Sequence, residues 1–390
     1  MWSVAILPTR PTPGNPSISV GSSSETSSTT EIRVMCVGTI GTDVKVGRAA
    51  GVRPPPSRNR LTARPEREAM NPLDRYESLV DDVDAFRAAC DRPLPSVVRT
   101  NEIAATPARV REAFDEAGVA YEAVDWHDGL FRLPDGNPGG NWPYVHGWTH
   151  GQEEVSVLPG LALDPQQGER VWDACAAPGS KTTQIADAMA DEGTVVANDN
   201  NLGRLSALRH NAERLGITNA VVTNQDARNF SMKPLAFDEF DRALVDAPCS
   251  CEGTCRKNPD VLDEWTLDHV HAVAGIQKGV LARAVQATRP GGVVVYSTCT
   301  FAPEENEAVL DHVLANEGCE LVDFDLPVET DPGVTEWDGE TYDESVTQAK
   351  RIYPHRNDTG GFFCAKLRVG GESEDGVSDG GAADDGEVAA

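Results

Sequence analysis

A chain of 390 residues can hold two domains with a sizeable core, and no apolar run reaches the roughly 18 residues of a membrane span. Its 62 acidic against 34 basic residues give a net charge of −28, which argues against a nucleic-acid partner at ordinary ionic strength. Nine cysteines without a disulfide-type spacing read as thiols of a reducing cytoplasm, and the opening MWSVAILPTRP lacks the basic and long apolar parts of a secretion signal. The acidity, with lysine scarce beside arginine, reads as that of a halophile or as that of an ordinary acidic enzyme. At about 1 M salt the Debye length shrinks to roughly 3 Å, so in the first case RNA stays available as a partner.

Residues 1–69 run against this trend, with nine basic and five acidic residues, and are rich in Ser, Thr and Pro without apolar periodicity. They are expected to be a disordered extension, with translation starting at Met70, the alternative being a basic RNA-binding arm. Residues 70–166 read as a small α+β lobe and linker. A helical pattern runs through DRYESLVDDVDAFRAAC, and a second follows in SVVRTNEIAATPARVREAFDEAG, with Thr106 and Pro107 as its start and Gly118 as its stop. The Gly-, Pro- and aromatic-rich stretch 126–153 reads as an irregular linker packed on a neighbour.

From 167 to 369 strands and helices alternate. RVWDAC, TVVAND, AVVTNQD, FDRALVDAP and GVVVYSTC read as strands, then CELVDFD and GFFCAKLRV. KTTQIADAM, the segment with Leu202, Leu205, Leu208, Ala212 and Leu215, the stretch from Thr266 to Thr288 and PEENEAVLDHVLANEG read as helices. This alternation predicts a doubly wound α/β fold, a parallel sheet with its ligands at the carboxyl ends of the strands. The acidic tail 370–390 is expected to be disordered.

The residues after each strand are chemically distinctive. The turn from Cys175 through Ala176, Ala177, Pro178, Gly179 and Ser180 to Lys181 brings backbone N–H groups and a helix N-terminus close to a ligand, without phosphate-loop spacing. Asp199 lies 20 residues past Gly179, where a carboxylate can take both hydroxyls of a ribose. Asp226, Asp246 and Cys299 end the next three strands. A lone strand-end Asp is more often a helix cap than a ligand, but three in succession beside a glycine turn point to a site.

In this order, DACAAPGSKT, ND followed by Arg204, NQDAR, DAPCS, YSTCT and GFFCAKL resemble the Sun-type RNA cytosine-C5 methyltransferases over about residues 95–368. The resemblance implies a Rossmann-like class I methyltransferase domain that uses S-adenosylmethionine, preceded by an RNA-binding lobe. It implies that Cys175–Lys181 wraps the methionine part of the cofactor, that Asp199 holds the ribose, that Asp226 lies by the adenine, and that Arg204 helps position the cofactor. Ser180 departs from the usual second glycine, and its hydroxyl is expected to cap the helix. Cys299 is then the nucleophile that adds to C6 of cytosine, Asp246 the acid or hydrogen-bond donor at N3, and Cys249 the thiol that assists release. The expected partner is RNA, transfer RNA before ribosomal RNA, with the protein a monomer that needs no metal.

Three other readings stand beside this one. Cys249, Cys251 and Cys255 could form a zinc site, although paired C-x-x-C units are missing. A DNA cytosine methyltransferase would use the Pro248-Cys249 motif as nucleophile and leave Cys299 without a role. A silent RNA-binding module would bury both cysteines as core residues.

Overall fold

The computed structural model describes Ala5–Ile6 and residues 71–134 and 136–370. The expected extension, Ala5–Ile6 apart, and the expected tail, Gly370 apart, lie outside the described residues.

The pattern read as one helix near the start is broken in two. A 3-10 turn, Pro72–Leu79, is followed by α1, Val83–Cys90. The break falls where Asp82 caps α1 by accepting the N–H of Ala85 at 2.9 Å. Tyr76 and Phe86 from these pieces bury against Phe301 and Tyr353, far along the chain. The next segment starts as a strand, β1 (Ser96–Thr100), and only then enters α2 (Pro107–Ala117). Thr106 caps α2, Pro107 opens it and Gly118 closes it at φ +65°, as the sequence predicts. The stretch expected to be an irregular linker supplies most of a sheet. With β2 (Glu122–Val124), it contributes β3 (His127–Leu133) and β4 (Thr149–Gly151), in the order β2-β3-β1-β4, all antiparallel. The strand His127–Leu133 buries Leu130, Phe131 and Leu133 without strict alternation, and the surrounding Gly and Pro hide it in the sequence.

The large sheet follows, with β5 (Arg170–Asp173), α3 (Ser180–Ala188), β6 (Thr194–Asn198), α4 (Leu202–Leu215) and β7 (Ala220–Thr223). Then come β8 (Phe240–Asp246), α5 (Leu267–Ala287), β9 (Thr288–Thr298), α6 (Glu307–Asn316), β10 (Cys319–Leu321), β11 (Asp331–Pro332), β12 (Lys350–Ile352) and β13 (Phe362–Val369). The strand order is β7-β6-β5-β8-β9-β13-β12-β11, with β10 on β13 and Ala5–Ile6 beside β7. The five strands β5 to β9 are parallel, whereas β13 runs antiparallel to β9. Only one helical turn, Pro354–Asn357, lies between β12 and β13, too short for a crossover, so the chain reverses direction.

The core lies on both faces of this sheet, with Trp172, Val196 and Tyr296 in one cluster and Val171, Val195 and Val295 in another. Trp172 stacks on Phe230 and Phe240 at centroid distances of 4.5 and 5.8 Å, each such pair adding about 0.5–1.5 kcal/mol beyond its buried area. On α4, Leu205, Leu208, Ala212 and Leu215 are buried as their spacing requires, but Leu202 is 69% exposed because it is the first helical residue and precedes the inward face. Strand order reverses between β5 and β8, which opens a crevice at their carboxyl ends.

Candidate active site

The turn after β5 is built to lie close to its neighbours. Gly179 adopts φ +107°, and a Cβ there would meet the Leu208 backbone of α4 at 3.3 Å, so a side chain would be strained in both conformation and space. The N–H of Ala176 donates to the Asn198 carbonyl at 2.7 Å and that of Ala177 to Asp199 Oδ2 at 3.2 Å, which binds the turn to the end of β6. Asp199 is 3% exposed; it also accepts the Asn201 N–H at 2.8 Å and pairs with Arg204 at 3.3 Å. Arg204 donates in turn to the Ala177 carbonyl, a short contact. Asp226 stands apart from this group: its carboxylate caps the turn Ala227–Asn229 and pairs with Arg228 at 2.6 Å. Hydrogen bonds from Arg228 hold it below the usual carboxylate range.

Ser180 does not cap α3. It is already the first helical residue, and its Oγ lies 3.0 Å from His150 Nε2 on β4. Arg214 sits 2.9 Å from His150 Nδ1, and because a guanidinium can only donate, Nδ1 must accept and Nε2 carries the proton given to Ser180. Burial, with Arg99 and Arg214 nearby, pushes the His150 imidazole down to about 3, so it stays neutral. Beside it, Arg99 of β1 forms a buried ion pair with Asp187 of α3. The N-terminal sheet is thereby fixed to the helix that starts at the glycine turn.

Lys181 reaches across the crevice rather than toward the turn. Its Nζ donates to Asp246 Oδ2 at 2.8 Å and to Ser156 Oγ at 2.9 Å, while Ser297 Oγ donates to Asp246 Oδ1 at 2.9 Å. Burial works against the ammonium, but Asp246 outweighs it and the net shift is upward. Register explains the convergence, since Asp246 and Ser297 are partners on the parallel strands β8 and β9.

Just beyond these strand ends lie the sulfurs. Cys249 Sγ is 3.1 Å from Cys299 Sγ and 3.6 Å from Cys251 Sγ. Hydrogen bonds from Cys251 and Cys299, then burial, push the Cys249 thiol up. The bond with Cys249 pulls Cys299 down, but Cys251 and burial outweigh it and leave it raised. The trio differs from the one expected of a zinc site: Cys255 turns away and lies buried with the thiol of Cys90.

Two buried acids, unmarked by any strand-end position, hold this pair of loops together. Glu252 accepts from Tyr76 Oη at 2.5 Å, Trp265 Nε1 at 2.6 Å, Ser250 Oγ at 2.5 Å and Thr300 Oγ1 at 2.6 Å. Four donors fit a carboxylate. Glu305 Oε2 accepts from the Ser250 N–H at 3.1 Å and Gln277 Nε2 at 2.8 Å, while Oε1 makes a short contact with Ser250 Oγ. Ser250 has one hydroxyl proton for two carboxyl groups, so one of the two acids must itself be neutral to complete the second bond. Burial pushes Glu305 up to about 8, in keeping with that count.

This geometry can be set against known proteins. Residues 160–368 match the family profile described as 16S rRNA methyltransferase RsmB/F. The chain is 37% identical to the tRNA (cytosine(49)-C(5))-methyltransferase of Pyrococcus abyssi, over 76% of this chain and 94% of that protein. It is 36% identical to ribosomal RNA small subunit methyltransferase F of Aeromonas salmonicida, over 73% of this chain but 60% of that longer protein. The crystal structure of a methyltransferase homolog from Pyrococcus horikoshii superposes with a TM-score of 0.67 at 31% identity, covering 76% of this chain and 93% of that one. With that match and those identities, the chain belongs to the RsmB/F family of RNA cytosine-C5 methyltransferases.

Proposed function

We propose that this protein methylates C5 of a cytosine in transfer RNA, with S-adenosylmethionine as methyl donor and Cys299 as nucleophile. The observation that carries the reading is the meeting of Cys299 and Cys249, 3.1 Å apart, beside the Asp246–Lys181 pair at 2.8 Å. A silent RNA-binding module has no use for this arrangement, and a nucleophile in the Pro-Cys motif alone leaves Cys299 unexplained.

The residues present fit the proposed donor. The turn Cys175–Lys181 leads into a helix N-terminus whose first N–H groups have no intrahelical partner. Asp199 supplies the carboxylate for ribose hydroxyls, Arg204 braces the turn, and Asp226 lies at the next strand end, on the adenine side in this reading. When bound, S-adenosylmethionine supplies an electrophilic methyl group on a sulfonium sulfur.

The chain's own residues do the rest. C5 of cytosine is a weak nucleophile, and a thiolate added to C6 makes it enamine-like. Cys299 forms that bond. Charge then builds at N3, where Asp246 donates a proton or hydrogen bond, the proton being drawn from Lys181. Once C5 is methylated, its proton must leave and the C6–sulfur bond must break. Cys249, in hydrogen-bond contact with Cys299, assists that release. A stacked base is out of reach of these groups, so it must flip out.

The length match favours transfer RNA, because the Pyrococcus abyssi relative named for tRNA is covered over 94% of its length and the ribosomal RNA enzyme over 60%. Bisulfite sequencing of total RNA from a deletion strain tests this. The reading expects loss of a tRNA signal, with cytosine 49 inspected first; loss of a ribosomal RNA signal alone would overturn it. The net charge of −28 is further read as an adaptation to a saline cytoplasm.

A further inference from the structure

The reaction assigns no task to Cys251, yet its side chain is placed at some cost. It sits in the left-handed region, at φ +67°, where a residue with a Cβ is disfavoured. That conformation turns its Sγ back to within 3.6 Å of Cys249, and the sulfurs of Cys249, Cys251 and Cys299 all lie within 4.8 Å of one another. Among the described residues no other group of three or more Cys, His, Asp or Glu converges in this way.

We propose that these three sulfurs form a binding site for a thiophilic divalent cation of the zinc class. Zinc–thiolate bonds are about 2.3 Å long, which sets sulfurs of a tetrahedral site roughly 3.8 Å apart. The separations of 3.1 and 3.6 Å, with the third pair within 4.8 Å, lie close to that spacing. Three protein ligands leave one tetrahedral position open. Binding forms three metal–sulfur bonds and sends the three thiol protons to the buffer, with no change of oxidation state. An ion held there takes Cys299 out of use, so the site is inhibitory and guards the reactive thiol when the cation is abundant. The position of Cys255, buried with Cys90, excludes it from the ligand set.

The site stands on the sulfur geometry alone, and its test needs neither RNA nor methyl donor. Reduced full-length protein is titrated with cadmium chloride, Cd²⁺ serving as the probe, and the thiolate-to-cadmium ultraviolet absorption is followed. The expected result is one tightly bound ion per chain, bound at least about tenfold more weakly by Cys251→Ser, since even outer partners of a metal site contribute about 10- to 100-fold. Cys255→Ser should bind as the unaltered protein does. If Cys251→Ser fails to fold, Cys251→Gly, which suits the left-handed backbone, takes its place. No saturable binding, unchanged binding in the Cys251 variant, or weakening in Cys255→Ser would each overturn the site.

Discussion

Glu305 shows how much of the chemistry is set by single protons. It shares the Ser250 hydroxyl with Glu252, so one of the two acids must be neutral, and burial puts the proton on Glu305. In the native state it keeps its proton to about 8, whereas a free glutamic acid loses it near 4.5. Between those values the native state binds more protons than the unfolded one, so stability falls as pH rises. Urea unfolding should therefore show declining stability from pH 6 to pH 9, and Glu305→Gln, which keeps a donor and an acceptor, should flatten that slope. A Glu305→Ala variant should lose about 2–3 kcal/mol by stranding its buried partners. An unchanged slope in Glu305→Gln would show that another group titrates. At this scale Cys249, Asp246 and Cys299 were legible because each follows an apolar run that can only be a strand. The partnership of Lys181 with Asp246 spans 65 residues and was not legible, and neither was the burial of Glu252 and Glu305, both 0% exposed, because charged residues beside a strand end give no local sign of being enclosed.

Elements were read best where local chemistry decides them. Thr106, Pro107 and Gly118 set α2 within the chain itself, so Thr106→Ala should cost about 1 kcal/mol by leaving an N–H without its cap, measurable as a lower midpoint of denaturant unfolding. The strands of the expected α+β lobe were not placed because β1, β3 and β4 gain their pairing from each other over long loops rather than from their own composition. Docking of that sheet on α3 adds a second pH effect of opposite sign. His150 is held neutral down to about 3, against 6.5 when free. As pH falls through that interval the unfolded state gains a proton that the native state does not, so stability is lost on acidification. His150→Gln, which can accept from Arg214 or donate to Ser180, should reduce that loss between pH 7 and pH 5. An equal loss in the variant would mean that carboxylates elsewhere account for it.

For the whole molecule, charge is the property that decides working conditions. With a net charge of −28, the protein repels itself and an RNA polyanion alike unless salt screens both. Methylation is expected to rise with potassium chloride into the molar range, the reverse of the usual weakening of protein–RNA contacts by salt. An optimum below about 0.2 M, where the Debye length is still several ångströms, would contradict the saline reading. The antiparallel return of β13 beside β9 is also a property of the whole sheet, since it follows from the missing crossover and not from anything within Phe362–Val369.

The central claim is that the two sulfurs 3.1 Å apart have different tasks. Denaturing electrophoresis of enzyme incubated with RNA and S-adenosylmethionine tests it most directly. The Cys249→Ala variant should still attack and methylate but release slowly, so a covalent protein–RNA band should accumulate and depend on S-adenosylmethionine. Cys299→Ala and the double variant should show neither band nor methylation. A band kept by Cys299→Ala and lost by Cys249→Ala would contradict the account and place the nucleophile in the Pro248-Cys249 motif.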